Sequence, residues 1–133
     1  MKLSRFFLAL LLVATSGLTI AQTTFPSKPI RVVIGFPAGG PLDQHARLLS
    51  ERLQQVLGQP IIIENKPGAG ANLAAEYVAN AKPDGYTLFL MMVGTQAINE
   101  TLYKKLNYNL VKDFSPISLV GSSSLMFVAT PSA

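Results

Sequence analysis

Ile30-Arg31-Val32-Val33-Ile34-Gly35-Phe36-Pro37-Ala38-Gly39-Gly40-Pro41 is the stretch that decides the fold. Its first seven residues are rich in β-branched and apolar side chains, Arg31 apart, and stand between Pro29 and Pro37, so they read as a buried strand. Pro37 to Gly40 then forms a loop that needs permissive backbone angles. Beyond it, Leu42, Ala46, Leu49, Leu53 and Val56 recur at spacings of four and three, which places one apolar stripe on a helix. Pro41 suits the first helical turn, and Gly58 and Pro60 mark the end.

The same order then repeats. Pro60 to Asn65 reads as a second strand, and Lys66-Pro67-Gly68-Ala69-Gly70-Ala71 as a second glycine-rich loop. Asn72 is placed to cap a helix from Leu73 to about Asn80. Pro83-Asp84-Gly85 is a turn, Tyr86 to Met92 a third strand, and Gly94-Thr95 a loop before a short helix from Gln96 to Tyr103. Phe114 to Val120 and Leu125 to Ala129 have the composition of two further strands. Tyr86, Tyr103 and Phe127 lie in apolar runs and are assigned to core packing. Strand–helix units at this spacing predict an α/β fold, a mostly parallel sheet with helices on both faces. In such sheets ligands sit outside the carboxyl ends of the strands, where the loops beginning at Pro37, Lys66 and Gly94 meet.

The amino-terminal segment is of a different kind. Met1 to Arg5 is basic, Phe6 to Ala14 is uninterrupted and apolar, and small residues occur at Thr19 and Ala21. That is the pattern of a cleavable secretory signal peptide spanning residues 1–21; the apolar run is well short of the ~20 residues of a membrane-spanning helix. The expected mature part, residues 22–133, is exported and makes no stable membrane insertion. Lys2 and Arg5 belong to the leader, so part of the formal charge of +4 goes with it.

Composition removes several classes of function. The 133 residues include no Cys and one His, which excludes a disulfide scaffold, a thiolate zinc site and a Cys nucleophile. Apolar residues at 49% and charged residues at 14% exclude intrinsic disorder. With no Trp and no Lys/Arg block, nucleic acid is not an expected partner. Gly68-Ala69-Gly70 begins like a dinucleotide fingerprint, but position 73 is Leu, and no phosphate-binding P-loop pattern occurs. Ser122-Ser123-Ser124 lacks a nucleophile-elbow context, His45 falls off the apolar stripe, and Glu51, Glu64, Glu76 and Glu100 are scattered, solvated charges. No catalytic residue, metal ligand or cofactor is expected.

The glycine loops carry one chemistry. A loop of this kind opening a helix turns backbone N–H groups toward a ligand, and the helix dipole favours an anion there. Ala38, Gly39, Gly40 and Leu42 are the candidate donors of the first loop; Pro41 has no N–H. Asp43 favours the helix start but would repel an anion, so it is read first as a cap. Lys66 is the one cation in these loops, so an anion would be held mainly by neutral hydrogen bonds.

Seven motifs in order then point further. They are Phe25-Pro26-Ser27-Lys28-Pro29-Ile30, Phe36 to Pro41, Gly58-Gln59-Pro60, Glu64 to Asn72, Pro83 to Leu88, Ala97-Ile98-Asn99 and Asp113-Phe114-Ser115-Pro116. In these the chain resembles the Bug-type substrate-binding proteins of tripartite tricarboxylate transporters, from about Phe25 to Pro131. The resemblance implies a periplasmic, two-lobed solute-binding protein of the Venus-flytrap kind. It would capture a small carboxylate or related metabolite for membrane transporter subunits. The implied ligand-binding set is Pro37, Ala38, Gly39, Gly40, Leu42 and Asp43 in the first loop, Gly68, Ala69, Gly70 and Asn72 in the second, and Gly94 and Thr95 in the third. Leu42 stands where many relatives carry a small or hydroxylated residue, and Glu100 where a proline is common. Relatives are also about twice this length or more, so residues 22–133 correspond to an incomplete first lobe, with weak or no ligand binding expected of it. The rival expectations are a non-binding interaction module that pairs through an unfilled sheet edge and a small doubly wound enzyme using Ser122–Ser124 or His45.

Overall fold

The computed structural model describes residues 24–122, 126 and 128–130. Its regular elements are β1 (Ile30–Ile34), α1 (Pro41–Leu57), β2 (Ile61–Asn65), a 3-10 turn (Ala69–Ala71), α2 (Asn72–Ala79), β3 (Thr87–Leu90) and α3 (Val93–Leu102). The three strands form one parallel sheet in the order β2-β1-β3. Ile30 stands opposite Ile61 and Ile34 opposite Asn65, while Arg31 stands opposite Thr87 and Ile34 opposite Leu90. All three loops after the strands therefore leave the same edge.

The strand period of two sorts the side chains of β1 onto two faces. Ile30 and Val32 join Ile61 in a buried cluster, against which Leu53 and Leu57 of α1 pack. On the opposite face Arg31 reaches the Tyr77 hydroxyl of α2 at 3.1 Å. Ala74 and Ala75 of α2 are fully buried, and their small side chains let this helix lie close to the sheet. Val33 and Ile34, at 0% exposure, sit at the centre. Burying each contributes about 1.5–3 kcal/mol relative to exposure, which is why the central strand is apolar at every position but the exposed Arg31.

The apolar stripe of α1 differs at its end from the sequence expectation. Val56 is exposed and Leu57 takes the inward position. Both spacings from Leu53 lie on one helix face, and contact with the Ile30 cluster selects the second. Gly58 closes the helix in a left-handed conformation, its N–H donating to Gln54 O at 3.0 Å. β1 stops at Ile34 and β3 covers only Thr87–Leu90, both shorter than expected.

Phe114 to Val120 is not a strand. Pro116 in its middle has no N–H to give a ladder, and Ile117 and Leu119 are exposed. Phe114 packs instead on Phe89 of β3 and edge-on against Tyr108. The expected strand Leu125 to Ala129 includes Leu125 and Phe127, which lie outside the described residues; Met126 and Val128 are exposed and not in a strand. Tyr86 is half-buried at the sheet's amino end, where its ring packs on Phe25 and beneath the Lys28 ammonium. Tyr103 is also half-buried, and Phe127 is outside the described residues.

Candidate functional site

The site is assembled where the three loops leave the carboxyl edge. Gly35 ends β1 against the second loop so closely that a Cβ there would overlap the Cβ and Cα of Ala71. The first and second loops are thus in direct contact, and only glycine permits it.

Gly40, not Asp43, is the N-cap of α1, with Pro41 at the first helical position. Asp43 sits in the first turn, 2% exposed, and its carboxylate reaches back to accept from Gly39 N–H at 2.9 Å. The Arg47 guanidinium binds it in a fork, Nε to Oδ2 at 2.8 Å and Nη2 to Oδ1 at 3.2 Å. Asn65 Nδ2 donates to Oδ1 at 3.0 Å and also to Phe36 O at 3.1 Å. Arg47 first, then the Gly39 N–H and Asn65, hold the Asp43 carboxyl well below the usual carboxylate range, against the effect of burial. Its oxygens are therefore occupied from within, but the cap read from the sequence is not what it forms: the side chain makes no capping bond to the helix, and the Gly39 N–H it accepts lies before the helix start.

This network revises the donor set. Gly39 N–H is committed to Asp43, and Gly40 N–H points at Pro37 O at 3.4 Å. Among the described residues the N–H groups of Ala38, Leu42 and Asp43 meet no acceptor. Leu42 and Asp43 belong to the first turn, the positive end, of a 17-residue helix. Lys66 is not an open cation here. Its ammonium lies 4.1 Å from the Tyr77 ring centroid and 3.9 Å from the Glu64 carboxylate.

The third loop differs from expectation in a similar way. Gly94 and Thr95 lie inside the first turn of α3, whose N-cap is Met92. Their N–H groups are helix-terminal donors; the first intrahelical-type bond runs from Gln96 N–H to Met92 O at 3.2 Å. Two helix amino termini thus open on the same edge of the sheet.

The second loop is conformationally strained. Gly68, Ala69, Gly70 and Ala71 have φ of 134°, 47°, 61° and 69° in succession. Two of these are alanines in the left-handed region. Replacing exposed Ala69 by glycine is expected to stabilise the chain by roughly 0.5 kcal/mol: relief of about 1–2 kcal/mol of strain is set against about 0.5–1 kcal/mol of added chain entropy. A shift of the urea midpoint upward would show it; a downward shift would contradict the strain.

Asn72 does not cap α2 with its side chain; Ala71 is the N-cap and Asn72 is the first helical residue. Asn72 is buried instead in a polar group that the sequence reading missed. Its Oδ1 accepts from Asn99 Nδ2 at 2.8 Å and from the Tyr108 hydroxyl at 2.7 Å. Asn99 Nδ2 also donates to Gly70 O at 2.7 Å, and Tyr108 lies 2.6 Å from Gln96 Oε1. Asn99 stands in one of the quoted motifs; Gln96 and Tyr108 carry no sequence signal. Arg47 carries no sequence signal either, and Asn65 stands only within the quoted Glu64–Asn72 motif. His45 is exposed, with Nδ1 2.6 Å from Pro41 O.

A cavity of about 650 Å³ lies elsewhere, at the amino ends of β1 and β3, lined by Lys28, Arg31, Tyr77, Lys82, Asp84 and Tyr86 among others. Its Lys28 is already bonded to Asp84 at 3.0 Å. Among the described residues no helix is long and apolar enough to cross a membrane.

Residues 45–133 match the family described as the tripartite tricarboxylate transporter family receptor. The chain belongs to that family. It is 35% identical over 122 residues to protein BugT of Bordetella pertussis, covering 90% of this chain and 37% of that protein. Among solved structures it is similar to MatC from Rhodopseudomonas palustris with bound malate, at 47% identity and a TM-score of 0.68, covering 72% of this chain and 33% of that one. It is also similar to an R. palustris protein with adipate, at 36% identity and a TM-score of 0.62, covering 65% and 29%. The three-stranded parallel sheet with its helices matches part of one lobe of these periplasmic-binding-protein folds. The chain spans about a third of the length of the curated relatives it matches.

Proposed function

We propose that this receptor-family chain forms part of one wall of a cleft that captures a small carboxylate, by binding and not by catalysis. The observation that carries this reading is the pair of helix amino termini on one sheet edge. Ala38, Leu42, Asp43, Gly94 and Thr95 bring backbone N–H groups there without a cation among them. Neutral donors and helix dipoles hold a carboxylate reversibly, which suits capture and release. The Asp43 carboxylate does not oppose this, because Arg47 offsets its charge. Pro37, Gly39, Gly40 and the Gly68–Gly70 turn shape the wall. The malate and adipate carried by the two similar structures support the solute class. In the whole protein the captured solute would be passed to membrane transporter subunits from the periplasm, which the leader-like segment 1–21 would reach by export.

The test is a titration of the isotope-labelled chain with adipate, followed by backbone amide resonances, with the neutral adipamide as control. Nuclear resonance detects the millimolar affinity that a single wall can supply. The amides of Leu42, Asp43, Gly94 and Thr95 are expected to move with the diacid and not with the diamide. Movement confined to Lys28, Arg31 and Lys82 would put anion binding at the other end of the sheet and reject the reading.

A further inference from the structure

We propose that the cavity at the amino ends of β1 and β3 is a second binding site, for a small molecule with one oxyanion head and a short apolar body, held by Arg31, Tyr77, Lys82 and Thr87. It lies at the opposite end of the sheet from the three loops and does not rest on the capture reading. Two of the quoted motifs, Phe25 to Ile30 and Pro83 to Leu88, meet here through Phe25, Ser27 and Tyr86. No residue of either belongs to the three loops.

The inference follows from which groups around the cavity are already used. Asp84 accepts from Lys28 Nζ at 3.0 Å through Oδ2 and from Tyr86 N–H at 3.1 Å through Oδ1. Lys28 holds its carboxyl below the ordinary value, so it is an ionised acceptor with both oxygens met. Glu64 has Oε1 3.5 Å from Arg31 Nη1 and Oε2 3.9 Å from Lys66 Nζ. The acidic groups are therefore occupied, and the donors are not. Arg31 can only donate, so the Tyr77 oxygen accepts from Nη1 at 3.1 Å and keeps its own proton for another acceptor. Among the described residues, Arg31 Nε and Nη2, the Lys82 ammonium and the Thr87 hydroxyl meet no acceptor.

These donors come from β1, α2, the turn after α2 and β3, and all line one cavity. The Arg31 side chain is 45% exposed and Lys82 is exposed, so a solute reaches them from outside. Lys28, Arg31 and Lys82 stand against Asp84 and Glu64, and the surplus positive charge suits a single anionic head. Charge-assisted bonds from Arg31 and Lys82 to such a head are roughly twice as strong as neutral ones. The volume of about 650 Å³ falls within the ~300–1,000 Å³ of small-molecule sites and leaves room for more than a bare ion. Pro29 and Ala81 supply apolar lining for the body.

The experiment titrates the isotope-labelled full chain with benzoate and, separately, with phenyl phosphate; benzyl alcohol is the neutral control. Saturable shifts are expected at Arg31 Nε–H and at the Lys82 and Thr87 backbone amides with the anions and not with the alcohol. The anion with the lower midpoint identifies the head as carboxylate or phosphate. Lys82→Gln is expected to weaken binding roughly fivefold and Lys82→Arg to restore it. Tyr77→Phe, which keeps the ring under Lys66, is expected to weaken it by a similar factor. Silence at the three reporters overturns the proposal, as does a linear drift of Lys82 matched by the exposed Lys104 and Lys105, which would be general charge attraction only. Saturable binding that neither Lys82→Gln nor Tyr77→Phe alters overturns it too. Lys82 is exposed and makes no bond, so its variants decide the matter even if Tyr77→Phe does not fold. Leu42 and Gly94 report the opposite edge, and their response bears on the capture reading alone.

Discussion

Gly35→Ala is expected to destabilise the chain by about 3 kcal/mol, the upper end of the range for overpacked interiors. The methyl group would occupy the space of the Ala71 Cβ and approach the Ala71 Cα. Most overpacking is relieved by rotation of a flexible neighbour. Here the neighbour is a backbone atom and a side chain with no rotamer to change. Ala71 is itself 3% exposed and held in a left-handed conformation, so the second loop would have to move as a unit. Urea unfolding measures the loss. Ala71→Gly in the same chain should recover part of it, since it removes one of the overlapping atoms. A Gly35→Ala midpoint equal to the native one would mean that the first and second loops are not in contact.

Asp43→Asn is expected to be nearly as damaging as Asp43→Ala, and both worse than Arg47→Ala or Asn65→Ala alone. The reason is the donor-only surroundings. Gly39 N–H and Arg47 Nε point at Oδ2, and Arg47 Nη2 and Asn65 Nδ2 point at Oδ1. An amide placed there turns its NH2 toward donors in either orientation. Comparison of melting temperatures across the four variants would settle the order; an Asp43→Asn chain that melts with the native one would refute the network. The same group sets an acid limit. Its folded carboxyl is depressed below the unfolded value of about 3.9, so its stabilisation is complete above that pH and is lost as the pH falls through the folded value. Asp84 shifts in the same direction through Lys28, but this pair is exposed and screened, so its removal should move the acid transition less.

Much of the architecture was legible because period and punctuation agreed. The β-branched run of β1, the three-and-four spacing of α1 and the glycines after each strand all specify one α/β order. What failed has identifiable causes. Phe114–Val120 has strand composition but carries Pro116, and composition does not report whether a partner edge will accept it. Val56 and Leu57 lie on adjacent sides of one helix, and only tertiary contact chooses between them. Gly94 and Thr95 looked like a loop because glycine is a poor helix former; in a first turn, where N–H groups are free in any case, that cost is small.

The candidate site was legible as three loops but not as a network. Gly39 seemed an open donor because the sequence does not show that Asp43, four residues on, will take its N–H. Asn72 seemed a cap, since asparagine before an apolar run usually is one. Its burial depends on Asn99 and Tyr108, which are 27 and 36 residues away in the chain. Gln96 and Tyr108 have no local pattern at all. Interactions at such separations are set by the topology that brings α2, α3 and the segment after α3 together, and no short window contains them.

The most direct test of the account is a crystal structure of the chain grown with adipate. A carboxylate of the diacid is expected within hydrogen-bond distance of the Leu42 N–H and of the Gly94 or Thr95 N–H, at the carboxyl edge of the sheet. Adipate bound instead among Lys28, Arg31 and Lys82, at the opposite end, would contradict it.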